Sequence, residues 1–111
     1  MNQPLHRFKA EFFKALSHPM RIVILELLRA GEKPVSELQA ALGIDQSSVS
    51  RQLAVLRTRN IVEDRKEGTS VYYRVRDPVV FQLLDVAREI FNNHLIDTHA
   101  MLQQLAEEET A

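Results

Sequence analysis

SELQAALGIDQSSVSRQLAVLRTR, residues 36–59, decides how this chain folds. It contains two helix-periodic segments joined by Leu42-Gly43-Ile44-Asp45, the first of them only about two turns long. Ser36 to Gln39 matches the S-x-x-Q capping box that opens a helix, and Gly43 closes that helix by tolerating a tight turn. Asp45 then supplies the N-cap of a second helix that ends near Asn60. This is the spacing of a helix-turn-helix, whose second helix enters a DNA major groove.

Projecting the second helix at about 100° per residue separates its faces. Val49, Leu53 and Leu56 fall in one narrow arc and must face a core. The opposite arc holds Ser47, Arg51 and Thr58, flanked by Ser50, Ala54 and Val55. Short hydroxyl side chains let a helix approach base edges, and the arginine fork matches guanine. Serine is a mediocre helix former, so three in one turn point to a use other than helix stability. Ser47, Ser48, Ser50, Arg51 and Gln52 are therefore the expected DNA contacts of this helix, with Arg51 reading bases directly.

After residue 60 the period changes. Val71, Tyr73 and Val75 alternate with Tyr72, Arg74 and Arg76, the pattern of a half-buried strand. Ile61-Val62 begins its partner, and Lys66-Glu67-Gly68-Thr69 forms the turn of a two-stranded hairpin. Arg65, Lys66 and Arg74 place charge where a wing beside the recognition helix would hold the DNA backbone. On the N-terminal side, Leu5, Phe8, Phe12 and Leu16 mark a first helix, and Ser17-His18-Pro19 starts a second that runs to Ala30 before Gly31. On the C-terminal side, Asp77-Pro78 opens a last helix with apolar residues at Val80, Leu84, Ala87, Phe91, Leu95, Leu102 and Leu105. The expected architecture is mostly α: five helices and a two-stranded wing in one domain over residues 1–111.

Composition agrees with a single small globular domain of 111 residues, 45% hydrophobic and 26% charged. Cysteine is absent, which removes disulfides, thiolate nucleophiles and Cys-based metal sites together. The formal net charge of −1 conceals a division. Residues 51–76 carry seven bases against three acids, whereas residues 77–111 carry Arg88 alone against seven acids. A basic middle and an acidic tail give one face to a polyanion and keep another from it. The stretch Ile22 to Leu28 is interrupted by Glu26 and is far too short to cross a bilayer. MNQPLHRFK lacks the apolar run of a signal peptide, so the cytosol is the expected compartment. There is no phosphate loop, HExxH or G-x-S-x-G, and neither an enzyme nor a cofactor is expected.

The stretches ALSHPMRIVILELL (15–28), PVSELQAALGIDQSSVSRQLAVLRTRNIV (34–62) and EGTSVYYRVRD (67–77) together resemble the ArsR family of bacterial winged-helix repressors. The resemblance implies a homodimer, held through the first and last helices, on an operator with twofold symmetry. Phe8, Phe12, Leu84, Ala87, Phe91 and Leu95 are the expected dimerisation residues. The family is often relieved from DNA by an inducer, commonly a metal. Its thiolate position falls on Pro34, and its zinc positions in the last helix on Asp77, Val79, Ile90 and Asn93, so a zinc or soft-metal sensor is not expected. His94, Asp97 and His99 are a separate candidate set for a harder metal. His94 and Asp97 share a helix face, but His99 lies about 140° from His94, so the three meet only across a dimer. A protein–protein module using the apolar last helix is the other class this sequence admits.

Overall fold

The computed structural model describes residues 3–110. The element order is α1 (Gln3–Leu16), α2 (Pro19–Leu27), a 3₁₀ turn (Leu28–Ala30), β1 (Lys33–Pro34), α3 (Val35–Leu42), α4 (Gln46–Thr58), β2 (Val62–Glu67), β3 (Ser70–Val75) and α5 (Val79–Thr110). Two compact units divide the chain, one up to Val80 and one from Phe81 onward.

The first unit is built around α4. Val49, Leu53 and Leu56 are fully buried, as are Ile24 and Leu25 from α2 and Leu38 from α3. Several helix boundaries have a local cause. The His18 Nδ1 accepts from the Met20 N–H at 3.1 Å and caps α2, with Pro19 in its first turn. Gly43 follows α3 at φ 67°, the left-handed conformation that glycine enters without a Cβ penalty. At the far end of α4 the same conformation is adopted by Asn60, at φ 58°. There the Ile61 N–H donates to the Leu56 carbonyl and the Asn60 N–H to that of Arg57, while Leu56 and Ile61 are both buried. This is a Schellman stop with its hydrophobic contact, and it turns the chain from α4 directly into the sheet.

Two expectations are corrected. Ser36 does not cap α3, whose N-cap lies two residues earlier, at Pro34, with no side-chain cap bond. The cause is the strand just before it, which fixes the entry to the helix. The sheet has three strands in the order β1-β3-β2, not two. Its extra strand pairs Lys33 with Tyr73 and Pro34 with Tyr72. Two residues are too few to show an alternating pattern, and Pro34 lacks an N–H, so only pairing in space reveals this strand.

β2 and β3 pair in register from Val62↔Val75 to Glu67↔Ser70. The loop is two residues, Gly68-Thr69, with Gly68 at φ 61° in the first central position, where a type II′ hairpin turn needs positive φ. Alternation gives the wing two faces. Val62, Asp64 and Lys66 lie on one, opposite Val75, Tyr73 and Val71; Glu63, Arg65 and Glu67 lie on the other, opposite Arg74, Tyr72 and Ser70. The first is the inner face, since Val62, Tyr73 and Val75 are buried.

The second unit is the remainder of α5. Asp77 Oδ1 accepts from the Val79 N–H at 3.0 Å and caps the helix start. Leu84 is 7% exposed, whereas Ile90, Phe91, Leu95, Ile96, Leu102 and Leu105 are all exposed in the single chain.

Because Leu53 is fully buried at the centre of the first unit, Leu53→Ala is expected to lower its unfolding free energy by about 2–5 kcal/mol in urea denaturation.

Candidate nucleic-acid interface

The α4 surface opposite its buried arc is open to solvent, with Ser47, Ser50, Arg51, Ala54, Val55 and Thr58 all exposed. The first turn is organised by Asp45. One carboxylate oxygen accepts from the Ser48 N–H at 3.1 Å and from the Ser47 hydroxyl; the other accepts from the Ser48 hydroxyl at 2.6 Å. The hydroxyls of Ser47 and Ser48, followed by that backbone N–H, hold the Asp45 carboxyl down to about 2. Ser48 Oγ in turn accepts from an Arg51 Nη at 3.1 Å. Asp45, Ser48 and Arg51, spaced at three-residue steps, thus form a hydrogen-bonded rail along one side of α4 that ends on the guanidinium.

Not every residue expected on this face stays on it. Ser48 is half-buried within the cap, and Ser50 makes no side-chain hydrogen bond among the described residues. Gln52 is half-buried, and its side-chain oxygen accepts from Arg21 at 2.8 Å. Arg21 also donates to the Ala15 carbonyl at 2.6 Å, so Gln52 belongs to a contact that ties α1, α2 and α4 together. The sequence did carry a signal for this. Gln52 directly precedes Leu53 and lies at the border of the core arc.

The wing separates the bases that the sequence grouped. Arg65 donates to both oxygens of Glu32 and to Glu67, with contacts of 2.6–2.9 Å, and its guanidinium lies 4.6 Å from the Tyr72 ring centre. Arg74 donates to Glu63 at 2.6 Å across the β2–β3 rung. Both sit on the outer face. Lys66 lies on the inner face near the tip and makes no ion pair among the described residues. That inner face is turned toward α4, as the Arg57–Asp64 ion pair of 3.1 Å between the helix and β2 demonstrates. Arg59 pairs with Glu11 at 2.9 Å. Of the seven bases in residues 51–76, Arg51, Lys66 and Arg76 therefore keep no carboxylate partner among the described residues.

Among the described residues no three His, Cys, Asp or Glu side chains come together as a metal site, and His94, Asp97 and His99 are not assembled within the single chain. No helix of the described residues is long and apolar enough to cross a membrane.

A helix with one exposed face carrying an arginine, beside a β2–β3 wing that belongs to a three-stranded sheet, is the geometry of a winged helix-turn-helix. Residues 18–64 match the bacterial regulatory protein, arsR family. Over 105 residues the chain is 42% identical to the uncharacterized HTH-type transcriptional regulator Rv0081 of Mycobacterium tuberculosis, covering 94% of this chain and 92% of that protein. This chain belongs to the ArsR family. It is a DNA-binding transcriptional regulator and not an enzyme. The crystal structure of Rv0081 superposes with a TM-score of 0.78, covering 86% of this chain and 97% of that one. The solution structure of the homodimeric winged helix-turn-helix DNA-binding domain Mb0332 of Mycobacterium bovis is 34% identical, with a TM-score of 0.75 and coverage of 83% and 85%. The transcriptional repressor BigR of Xylella fastidiosa is likewise 34% identical, with a TM-score of 0.69 and coverage of 82% and 96%.

The Asp45 cap carries a pH signature. Its carboxyl titrates near 2 in the folded chain, below the ordinary 3.8, so the cap's contribution is complete above about pH 4 and is lost as the pH falls toward 2. Asp45→Ala is expected to be less stable than the parent at pH 6, with the difference shrinking between pH 4 and pH 2 in urea titrations.

Proposed function

We propose that this regulator acts as a homodimer that represses transcription by occupying an operator made of two symmetric half-sites. The observation that carries the reading is the exposed face of α4. Its one guanidinium is held toward solvent by Ser48 and free of carboxylates among the described residues. In this reading Arg51 contacts base edges, preferentially guanine, while Ser47 and Ser50 allow the helix to approach the groove floor. Lys66 reaches a flanking phosphate from the wing tip. Two copies of α4 engage half-sites about one helical turn apart.

Self-association is supported by apolar surface that the single chain leaves uncovered. Phe8 in α1 is 62% exposed, and Phe91 and Leu95 in α5 are 58% and 49% exposed. Apolar side chains repeated along one helix in this way exceed the scattered exposure of an ordinary monomer surface. Ala87 lies exposed on the same helix; Phe12, by contrast, is half-buried and meets Phe13 edge to face at 5.7 Å. Leu84 is already buried and has little area left for a partner. The homodimeric state of Mb0332 supports the same reading.

The operator is obtained by selection from a random duplex library with the purified protein. On that duplex, Arg51→Ala is expected to cost about 1–3 kcal/mol per half-site and to relax the base preference. Lys66→Ala is expected to weaken all duplexes alike and to flatten the salt dependence by about one counterion. An Arg51→Ala protein that binds the selected duplex as tightly as its parent would contradict the assignment of α4.

Light scattering at micromolar concentration is expected to report a dimer for the parent and a monomer with reduced DNA affinity for Phe91→Glu. A monomeric parent refutes the dimer.

A further inference from the structure

Arg65 is the most heavily engaged side chain on the wing, and its engagement crosses all three strands. It projects from β2 on the outer face and covers the ring of its cross-strand neighbour Tyr72 on β3, 4.6 Å from the ring centre. It ends on Glu32, immediately before β1. Nε lies 2.9 Å from each Glu32 oxygen, one Nη 2.6 Å from Glu32 and the other 2.7 Å from Glu67. All three guanidinium nitrogens are therefore occupied. Beneath this span the backbone connection is thin. β1 has two residues, one of them Pro34, yet it leads straight into α3. With no N–H on Pro34, the β1–β3 ladder has few bonds with which to fix the wing against the helix-turn-helix.

We propose that Arg65, Tyr72 and Glu32 form a strap that holds the wing at a fixed angle to the helix-turn-helix, so that Arg65 positions the wing for DNA and Lys66 makes its phosphate contact. The inference rests on the reading of α4 and the wing as the DNA-contacting elements. An isolated surface ion pair does little for a fold, but a bidentate arginine fork stacked on an aromatic ring is the arrangement that retains strength at a surface. The geometry also sorts the two bases by face. Lys66 shares the inner face with Asp64, which pairs with Arg57 of α4, whereas Arg65 lies on the outer face. The Arg65 guanidinium in turn pulls the Glu32 carboxyl below its usual range, so the pair stays ionised at neutral pH.

Glu32→Gln separates the two roles by sign. If Arg65 were a phosphate ligand, removing Glu32 would free it and delete a negative charge near the DNA, and affinity would rise. A strap gives the opposite: operator affinity falls about three- to tenfold, with the slope against salt unchanged. Arg65→Lys, which keeps the charge and loses the fork, is expected to fall by a similar factor. Binding is measured by fluorescence anisotropy on the selected duplex across a salt series, with urea midpoints confirming that each variant is folded. Parent-like or tighter binding by Glu32→Gln, full affinity in Arg65→Lys, or a reduced salt slope in Arg65→Lys each overturns the strap. The parent's own operator binding tests the underlying reading separately, since it depends on neither variant.

Discussion

Burial of Val49, Leu53 and Leu56 against α2 and α3 is the constraint from which the exposed surface of α4 follows. Three fully buried side chains on one arc fix the rotation of α4 about its own axis. A helix so fixed has only one surface to offer, and that surface carries Ser47, Ser50 and Arg51. Turning α4 to present another face would expose three large aliphatic groups, at about 1.5–3 kcal/mol each. The two ends of the helix are set just as locally. Asp45 gathers the first turn around its carboxylate, and Asn60 stops the last turn so that Ile61 enters the core. The wing therefore leaves α4 at a position determined by the helix itself.

Charge is distributed differently in the fold than along the chain. Four of the seven bases of residues 51–76 are engaged in ion pairs: Arg57 with Asp64, Arg59 with Glu11, Arg65 with Glu32 and Glu67, Arg74 with Glu63. Two of those acids, Glu11 and Glu32, lie outside the basic segment altogether. Among the described residues, Arg51 on the helix, Lys66 at the wing tip and Arg76 just after β3 keep no carboxylate partner. A few unpaired cations at fixed positions suit recognition of one duplex geometry better than a uniform basic patch, which attracts any polyanion.

The legible features were those set by short-range periodicity or capping chemistry. The faces of α4, the Gly43 turn, the Asp45 cap, the β3 alternation and the Asp77-Pro78 helix start all depend on residues within a few positions of one another. The illegible ones were long-range. β1 is a strand only because β3 lies beside it, and its pairing overrides the capping pattern at Ser36. Gln52 was expected among the DNA contacts, but its side-chain oxygen accepts from Arg21, thirty-one residues away.

By itself the sequence determined the helix-turn-helix, the arc of α4 that faces solvent and the order of elements that places a wing after it. These follow from helical and strand periods, which are properties of neighbouring residues. Only the tertiary structure decided which charges are available. Whether an arginine is a ligand or a tether depends on which carboxylate the fold brings within hydrogen-bond distance. For Arg65 that carboxylate is thirty-three residues away, brought to it by a sheet whose third strand only pairing in space defines.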